Sequence, residues 1–267
     1  MKSLNKVKIL VVGDIIGKGA RNAFIDFLPK LKEEYNYDII AINAENTTHG
    51  RGLNYNHYQA YDKLGINVMT MGNHMLDNKE IVNYIDKTNN LVVPGNVTFK
   101  QEVFNNHKKV SITFNNKEIV FLNFLSASAG KDKFETKDPL TYFDEIYQEN
   151  NDAIYVIDYH AEFTLEKNLL AYYADGRASL IYGTHTHVQT ADERILPEGT
   201  AYISDVGMCG SFDSIIGYDY KSFINKRKNN TSTSISMLKP FMINALFVEI
   251  DLDSKKAISI KRINQNM

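Results

Sequence analysis

The stretch Val7-Lys8-Ile9-Leu10-Val11-Val12-Gly13-Asp14 decides the fold. Its nearly continuous apolar, β-branched run predicts a strand over residues 7–12 that is covered on both faces, because a strand with one wet face alternates apolar with polar residues. Gly13-Asp14 supplies the turn, and residues 21–35 then have helical spacing. The same phrase recurs further along, with a strand over 38–43, a helix over 54–64, a strand over 67–71 and a helix over 78–87. Such alternation predicts a layered α/β architecture.

From residue 110 the pattern changes. Residues 110–114 and 118–124 alternate in the strand manner around Asn115-Asn116, a pair suited to a tight hairpin. Helices over 139–148 and 165–173 then interleave with strands over 153–158, 180–183 and 201–204. The carboxyl end predicts a second hairpin, 242–252 and 257–263, about the polar turn Asp253-Ser254-Lys255-Lys256. Residues 226–236 are polar and low in complexity and predict a mobile surface loop. With no repeat or linker, all 267 residues are expected to form one domain, 1–267.

Composition narrows the chemistry. A hydrophobic fraction of 43% with 23% charged residues is ordinary for a globular protein, and no apolar run approaches membrane-spanning length. The lysines within residues 1–8 precede an apolar run too short for a secretory leader, so a cytoplasmic protein is expected. Cys209 is the sole cysteine, which excludes disulfide frameworks and cysteine-rich zinc sites and leaves packing as its expected role. Any metal must therefore be held by His, Asp, Glu and Asn. The net charge of -2 argues against a protein that coats nucleic acid, while nucleic acid as a local partner stays open.

Each predicted strand is followed at once by residues that can ligate a metal: Asp14, then Glu45 and Asn46, then Asn73 and His74, then His160, then His185 and His187. In open α/β sheets ligands gather outside the carboxyl ends of the strands, so these positions are expected to converge. Carboxylates, amides and imidazoles together suit a divalent transition metal better than magnesium or calcium, and they are too many for one ion. Two ions sharing a carboxylate would clamp the attacking and leaving oxygens of a displacement at phosphorus.

Taken singly these positions mean less. Asp14 could be a turn or cap residue, and Asn73-His74 a turn with a solvated imidazole. Glu45 follows apolar residues in Asn43-Ala44-Glu45-Asn46, where an unpaired charge is costly. His185 and His187 would face one side of an extended strand but could diverge in a turn, each toward its own ion. His49, His57 and His107 lie in loop or helix-surface contexts and are expected to be solvated. Gly50-Arg51-Gly52 could offer backbone amides and one guanidinium to a phosphate.

Gly13-Asp14, Gly72-Asn73-His74, His160 and Gly183-Thr184-His185-Thr186-His187 together resemble the calcineurin-like metallophosphoesterase superfamily. Within it the chain is similar to the YmdB-like branch over nearly its whole length. Asn43-Ala44-Glu45-Asn46, Asp158-Tyr159-His160-Ala161-Glu162, residues 185–192, Asp205-Val206-Gly207-Met208 and Asp213-Ser214-Ile215-Ile216-Gly217 carry that likeness. The resemblance implies a four-layer α/β/β/α sandwich with a dinuclear site. Asp14, Glu45, Asn46 and His187 would hold one ion; Glu45, Asn73, His160 and His185 would hold the other, with Glu45 as the bridge. His74 would be the catalytic acid. The superfamily's Asp-x-His becomes Asp14-Ile15-Ile16 here, so Asn46 would replace a histidine, and Glu45 stands for the usual bridging aspartate. Met75 occupies a commonly acidic position, which leaves Asp77 as the candidate partner of His74.

The expected activity is hydrolysis of cyclic nucleotides, 2′,3′-cyclic first and 3′,5′-cyclic such as cyclic AMP second, by in-line attack of hydroxide generated at the two ions. Iron or manganese is preferred as the metal, with zinc compatible. A nucleotidase-like phosphomonoesterase and a non-catalytic, metal-stabilised nucleotide-binding regulator are the alternatives. The expected partner is a small phosphodiester, not a membrane, and a homo-oligomer is compatible with these residues.

Overall fold

The computed structural model describes residues 5–267, and of Asp132 the backbone alone. Residues 1–4 of the basic amino-terminal stretch fall outside the described residues. In chain order the elements are β1 (Lys6–Ile15), α1 (Gly17–Tyr35), β2 (Ile39–Asn43), α2 (Tyr55–Lys63), β3 (Val68–Thr70), α3 (Ile81–Tyr84) and β4 (Leu91–Val92). Next come β5 (Lys109–Phe114), β6 (Lys117–Leu125), α4 (Ala127–Gly130), α5 (Pro139–Glu149), β7 (Ile154–His160), α6 (Thr164–Tyr173) and β8 (Leu180–Thr184). The chain finishes with β9 (Arg194–Ile195), β10 (Ala201–Ile203), β11 (Met208–Ser211), α7 (Tyr220–Asn229), β12 (Phe241–Asp251) and β13 (Ala257–Asn266).

Two sheets result, one in the order β13-β12-β11-β1-β2-β3-β4 and one in the order β5-β6-β7-β8-β10-β9. The side-chain alternation of β1 shows why they stack. Leu10 and Val12 face Phe24, Leu28 and Leu31 of α1, whereas Val7, Ile9 and Val11 face the second sheet and meet a core containing Ile119, Phe121 and Val156. On the far side of the second sheet, Tyr155 and Ile157 pack with Phe143 and Ile146 of α5 and Leu170 of α6. The layers are therefore α/β/β/α, and each central strand is dry on both faces, as the unbroken run in β1 requires. Each fully buried Val, Leu or Ile contributes about 1.5–3 kcal/mol of transfer free energy to that stacking.

Several boundaries differ from the sequence reading for identifiable reasons. β1 continues past Gly13 through a register shift between Val12 and Asp14. A Cβ at Gly13 would lie 1.9 Å from the Gly207 carbonyl oxygen, so only glycine lets β11 pair there, and that pairing extends the strand to Ile15. The predicted helix over 78–87 is instead the single turn of α3 followed by a 3-10 turn. Residues 226–229 are not loop but the last turn of α7, which Asp219 caps by accepting from the Ser222 N–H at 2.7 Å. The hairpin at Asn115-Asn116 forms as expected, with both residues at positive φ. No helix among the described residues is long and apolar enough to cross a membrane.

Candidate metal centre

β1, β2 and β3 run parallel in the first sheet, and β6, β7 and β8 run parallel in the second. Their carboxyl ends deliver Asp14 from β1, Glu45 and Asn46 from the turn after β2, Asn73 and His74 after β3, His160 as the last residue of β7, and His185 and His187 after β8. Asp14, Glu45, Asn73, His160, His185 and His187 meet, His74 reaches them through its backbone N–H, and Asn46 gives its amide nitrogen to the Gly50 carbonyl at 3.0 Å. The His160 Nε2 atom lies 3.1 Å from Glu45 Oε1, 2.9 Å from Asn73 Oδ1 and 2.9 Å from His185 Nδ1. His187 Nε2 lies 3.9 Å from Asp14 Oδ1, and the His185 N–H reaches Asp14 Oδ2 at 3.4 Å. Gly72 permits the approach, since a Cβ there would sit 2.5 Å from both Glu45 Oε2 and His160 Nε2.

The outward nitrogen of each imidazole is already committed. His160 Nδ1 lies 2.9 Å from Thr184 Oγ1, whose hydroxyl donates to Asp158 Oδ1 at 2.7 Å. Thr184 must then accept from His160, which puts the proton on Nδ1. His185 Nε2 donates to Glu162 Oε2 at 2.9 Å, and His187 Nδ1 donates to the Ile216 carbonyl at 3.0 Å. Each ring is therefore oriented through one nitrogen with the other turned into the cluster, as a ligating histidine is, and for His185 and His187 that inward nitrogen is a lone pair.

Acceptors facing acceptors call for a cation. Asp14 Oδ1 and Asn46 Oδ1 are buried with no hydrogen-bond partner, and Glu45 Oε1 has only the His160 ring, 3.1 Å away. Leaving a buried polar atom unpaired costs about 1–3 kcal/mol, more when it is charged. The local field says the same. Burial pushes the Asp14 carboxyl well above the usual range; the His160 ring pulls against that, and Glu45 adds to the rise. Burial disfavours a charged His160, yet Glu45, Asp14 and Asp158 hold its ring up to about 9. Burial and then His160 push His185 down to about 2, and burial lowers His187, so both stay neutral and free to ligate. Ligand atoms of Glu45, His160 and His185 all lie within 4.8 Å of one another, a group able to hold a divalent metal.

The turn carrying His185 and His187 is strained: both residues adopt positive φ, 97° and 67°. The rings consequently diverge, His185 toward Glu45 and His160 and His187 toward Asp14. On the rim, the His74 N–H donates to Glu45 Oε2 at 2.9 Å, and its Nδ1 contacts Asp77 Oδ2 at 2.7 Å. Asp77 also receives Lys133 at 3.1 Å and Arg51 at 3.6 Å.

The model of the family described as YmdB-like protein matches residues 10–263. The chain belongs to the YmdB-like family. It is 39% identical over 260 residues to the 2′,3′-cyclic-nucleotide 2′-phosphodiesterase of Bacillus subtilis, covering 96% of each chain. It is 36% identical to a putative phosphatase/phosphodiesterase of Mycoplasma pneumoniae, over 97% of this chain and 93% of that one. The crystal structure of a novel phosphatase from Mycoplasma pneumoniae superposes with a TM-score of 0.91 at 36% identity, covering 99% of this chain and 95% of that one.

Three features of this YmdB-like site lay outside the sequence reading. Glu162 orients His185, although it stands two residues past His160 in a quoted motif. Lys167 and Asp205 form a buried ion pair of 2.6 Å behind the histidine turn. A lysine on a helix gives no signal of such a role. The expectation of solvated histidines holds for the exposed His49 but not for the other two. His107, the last residue of a 3-10 helix, is buried, and His57 on α2 is half-buried with its Nδ1 2.8 Å from Thr48 Oγ1.

Proposed function

We propose that this chain hydrolyses cyclic nucleotide phosphodiesters at a dinuclear metal centre, 2′,3′-cyclic substrates first and 3′,5′-cyclic ones second. Membership of a family whose named relatives are phosphodiesterases and phosphatases makes it a phosphoric ester hydrolase. The observation that carries the finer reading is the convergence of three imidazoles, each oriented through its outward nitrogen, on buried carboxylate and amide oxygens. Asp14, Glu45, Asn46 and His187 would hold one ion, and Glu45, Asn73, His160 and His185 the other, with iron or manganese preferred and zinc compatible with the mixed nitrogen and oxygen set. Two divalent ions there would supply Lewis acidity for the phosphoryl oxygens and lower the pKa of water toward neutrality.

The chain's own residues set up the rest. Glu45, which would be shared by the two ions, also accepts the His74 backbone N–H, so the proposed acid is tethered to it. Asp77 engages His74 Nδ1 and leaves Nε2 to give a proton to the departing ribose oxygen. The names of the Mycoplasma relatives favour a second reading, a phosphomonoesterase that takes a terminal phosphate. Steady-state assays over 2′,3′-cyclic, 3′,5′-cyclic and terminal nucleotide phosphates separate the two. Turnover of the cyclic esters is expected; hydrolysis confined to monoesters rejects the first reading.

A further inference from the structure

Beside the metal centre lies a cavity of about 600 Å³ whose wall includes Lys18, Arg51, Lys226 and Tyr218 and includes no carboxylate. Its volume is that of a small-molecule site. Three contacts tie this wall to the metal centre. The Gly17 N–H on the cavity wall donates to the Asn46 carbonyl at 3.0 Å. Arg51 Nη1 lies 3.6 Å from Asp77, which engages His74. Ile216, which accepts from His187, stands two residues before Tyr218. The segment after α7 forms part of this wall, with Ile235 against Gly17 and Gly50, where an added Cβ would meet its side chain at 2.8 and 2.5 Å.

The charge on this wall exceeds what a simple cyclic nucleotide needs. Such a substrate carries one negative charge, and that phosphate belongs to the metals. Among the described residues no carboxylate lies within ion-pair distance of Lys18 or Lys226. Lys18 also sits in the first turn of α1, which has no acidic residue and no side-chain cap. A cation at that end opposes the helix dipole and weakens the helix, a cost that an anion in the cavity would offset.

We infer that this cavity binds a second phosphoryl group of the substrate, one joined to the 5′-oxygen of the nucleoside whose cyclic phosphate is cleaved. The inference rests on the phosphodiesterase reading for its account of turnover but not for its account of binding. A 5′-phosphorylated mononucleotide and the last phosphodiester link of a short oligonucleotide present the same chemistry, with Lys18 and Lys226 as the contacts that select it.

Calorimetric titration of the metal-loaded protein with adenosine 3′,5′-bisphosphate and with adenosine 3′-monophosphate tests the site without turnover. The bisphosphate is expected to bind about tenfold more tightly, an advantage that shrinks with added salt. In the Lys18→Gln/Lys226→Gln variant the advantage falls to about twofold or less. Both lysines are exposed, so the substitutions leave the core untouched. Equal affinities in the wild type, or an advantage that survives in the variant, overturns the inference. Hydrolysis of adenosine 2′,3′-cyclic phosphate with and without a 5′-phosphate, and of a dinucleotide ending in the cyclic phosphate, then names the source by which gains in kcat/KM. Loss of all hydrolysis with the binding advantage intact removes the functional reading and leaves the site. Hydrolysis without the advantage does the reverse.

Discussion

Lys167 Nζ lies 2.6 Å from Asp205 Oδ2, with both side chains buried behind the turn that presents His185 and His187. The same oxygen accepts the Thr186 hydroxyl at 2.8 Å and the Thr186 N–H at 3.2 Å, while Lys167 also donates to the Thr184 carbonyl at 3.0 Å. One ion pair therefore grips the residues on either side of His185. Removing one partner of such a pair leaves an uncompensated buried charge, which costs about 3–5 kcal/mol. Asp205→Ala should lose stability on that scale in urea unfolding of the metal-free protein, and should also bind metal more weakly because the strained turn relaxes. Wild-type stability in this variant would show that the pair does not hold the turn.

Glu162 acts from further out, through His185 Nε2. Replacing the partner of a ligating histidine typically costs about 10–100-fold in metal affinity or activity. Glu162→Gln keeps an acceptor oxygen but removes the charge, so a loss at the lower end of that range is expected in a metal titration, and Glu162→Ala should lose more. Identical titrations for the three proteins would place Glu162 outside the site's function.

His74 is held by its backbone to Glu45 and by its ring to Asp77. Its side chain is not among the proposed ligands. His74→Ala should lower turnover by about 10²–10⁴ while metal content stays nearly unchanged. Parallel loss of metal and activity would make His74 a ligand instead of an acid.

The layered fold was legible because β1, β2 and β7 carry uninterrupted apolar runs over 9–12, 39–42 and 154–157, as burial on both faces requires. The clustering of Asp14, Glu45, Asn73 and His160 was legible for a related reason, since each stands where such a run stops. What escaped depends on contacts between distant segments. Extension of β1 to Ile15 is set by the approach of Gly207 to Gly13, and nothing in residues 7–14 announces it. β11 has only four residues, too few for a period to show. Lys167 reads as an exposed helix residue until β8 and the segment after β10 enclose it.

Asp192 gives a pH test away from the metal centre. Burial pushes its carboxyl up, but the Ser204 and Thr190 hydroxyls and the Ser204 N–H outweigh that and hold it below its ordinary range. A group depressed on folding contributes stability above its unfolded value of about 3.9, and loses that contribution as pH falls through the lower folded value. Wild type should therefore exceed Asp192→Asn in stability at neutral pH, with the gap closing in acid below about pH 4. Equilibrium unfolding at several pH values measures this; a gap that widens in acid would reverse the sign.

Anomalous X-ray diffraction from crystals of the manganese-loaded protein most directly tests the claim that Glu45 is shared between two cations. Two peaks are predicted on either side of Glu45, one within reach of Asp14, Asn46 and His187 and the other within reach of Asn73, His160 and His185. A single peak, or peaks remote from Glu45, would contradict the account.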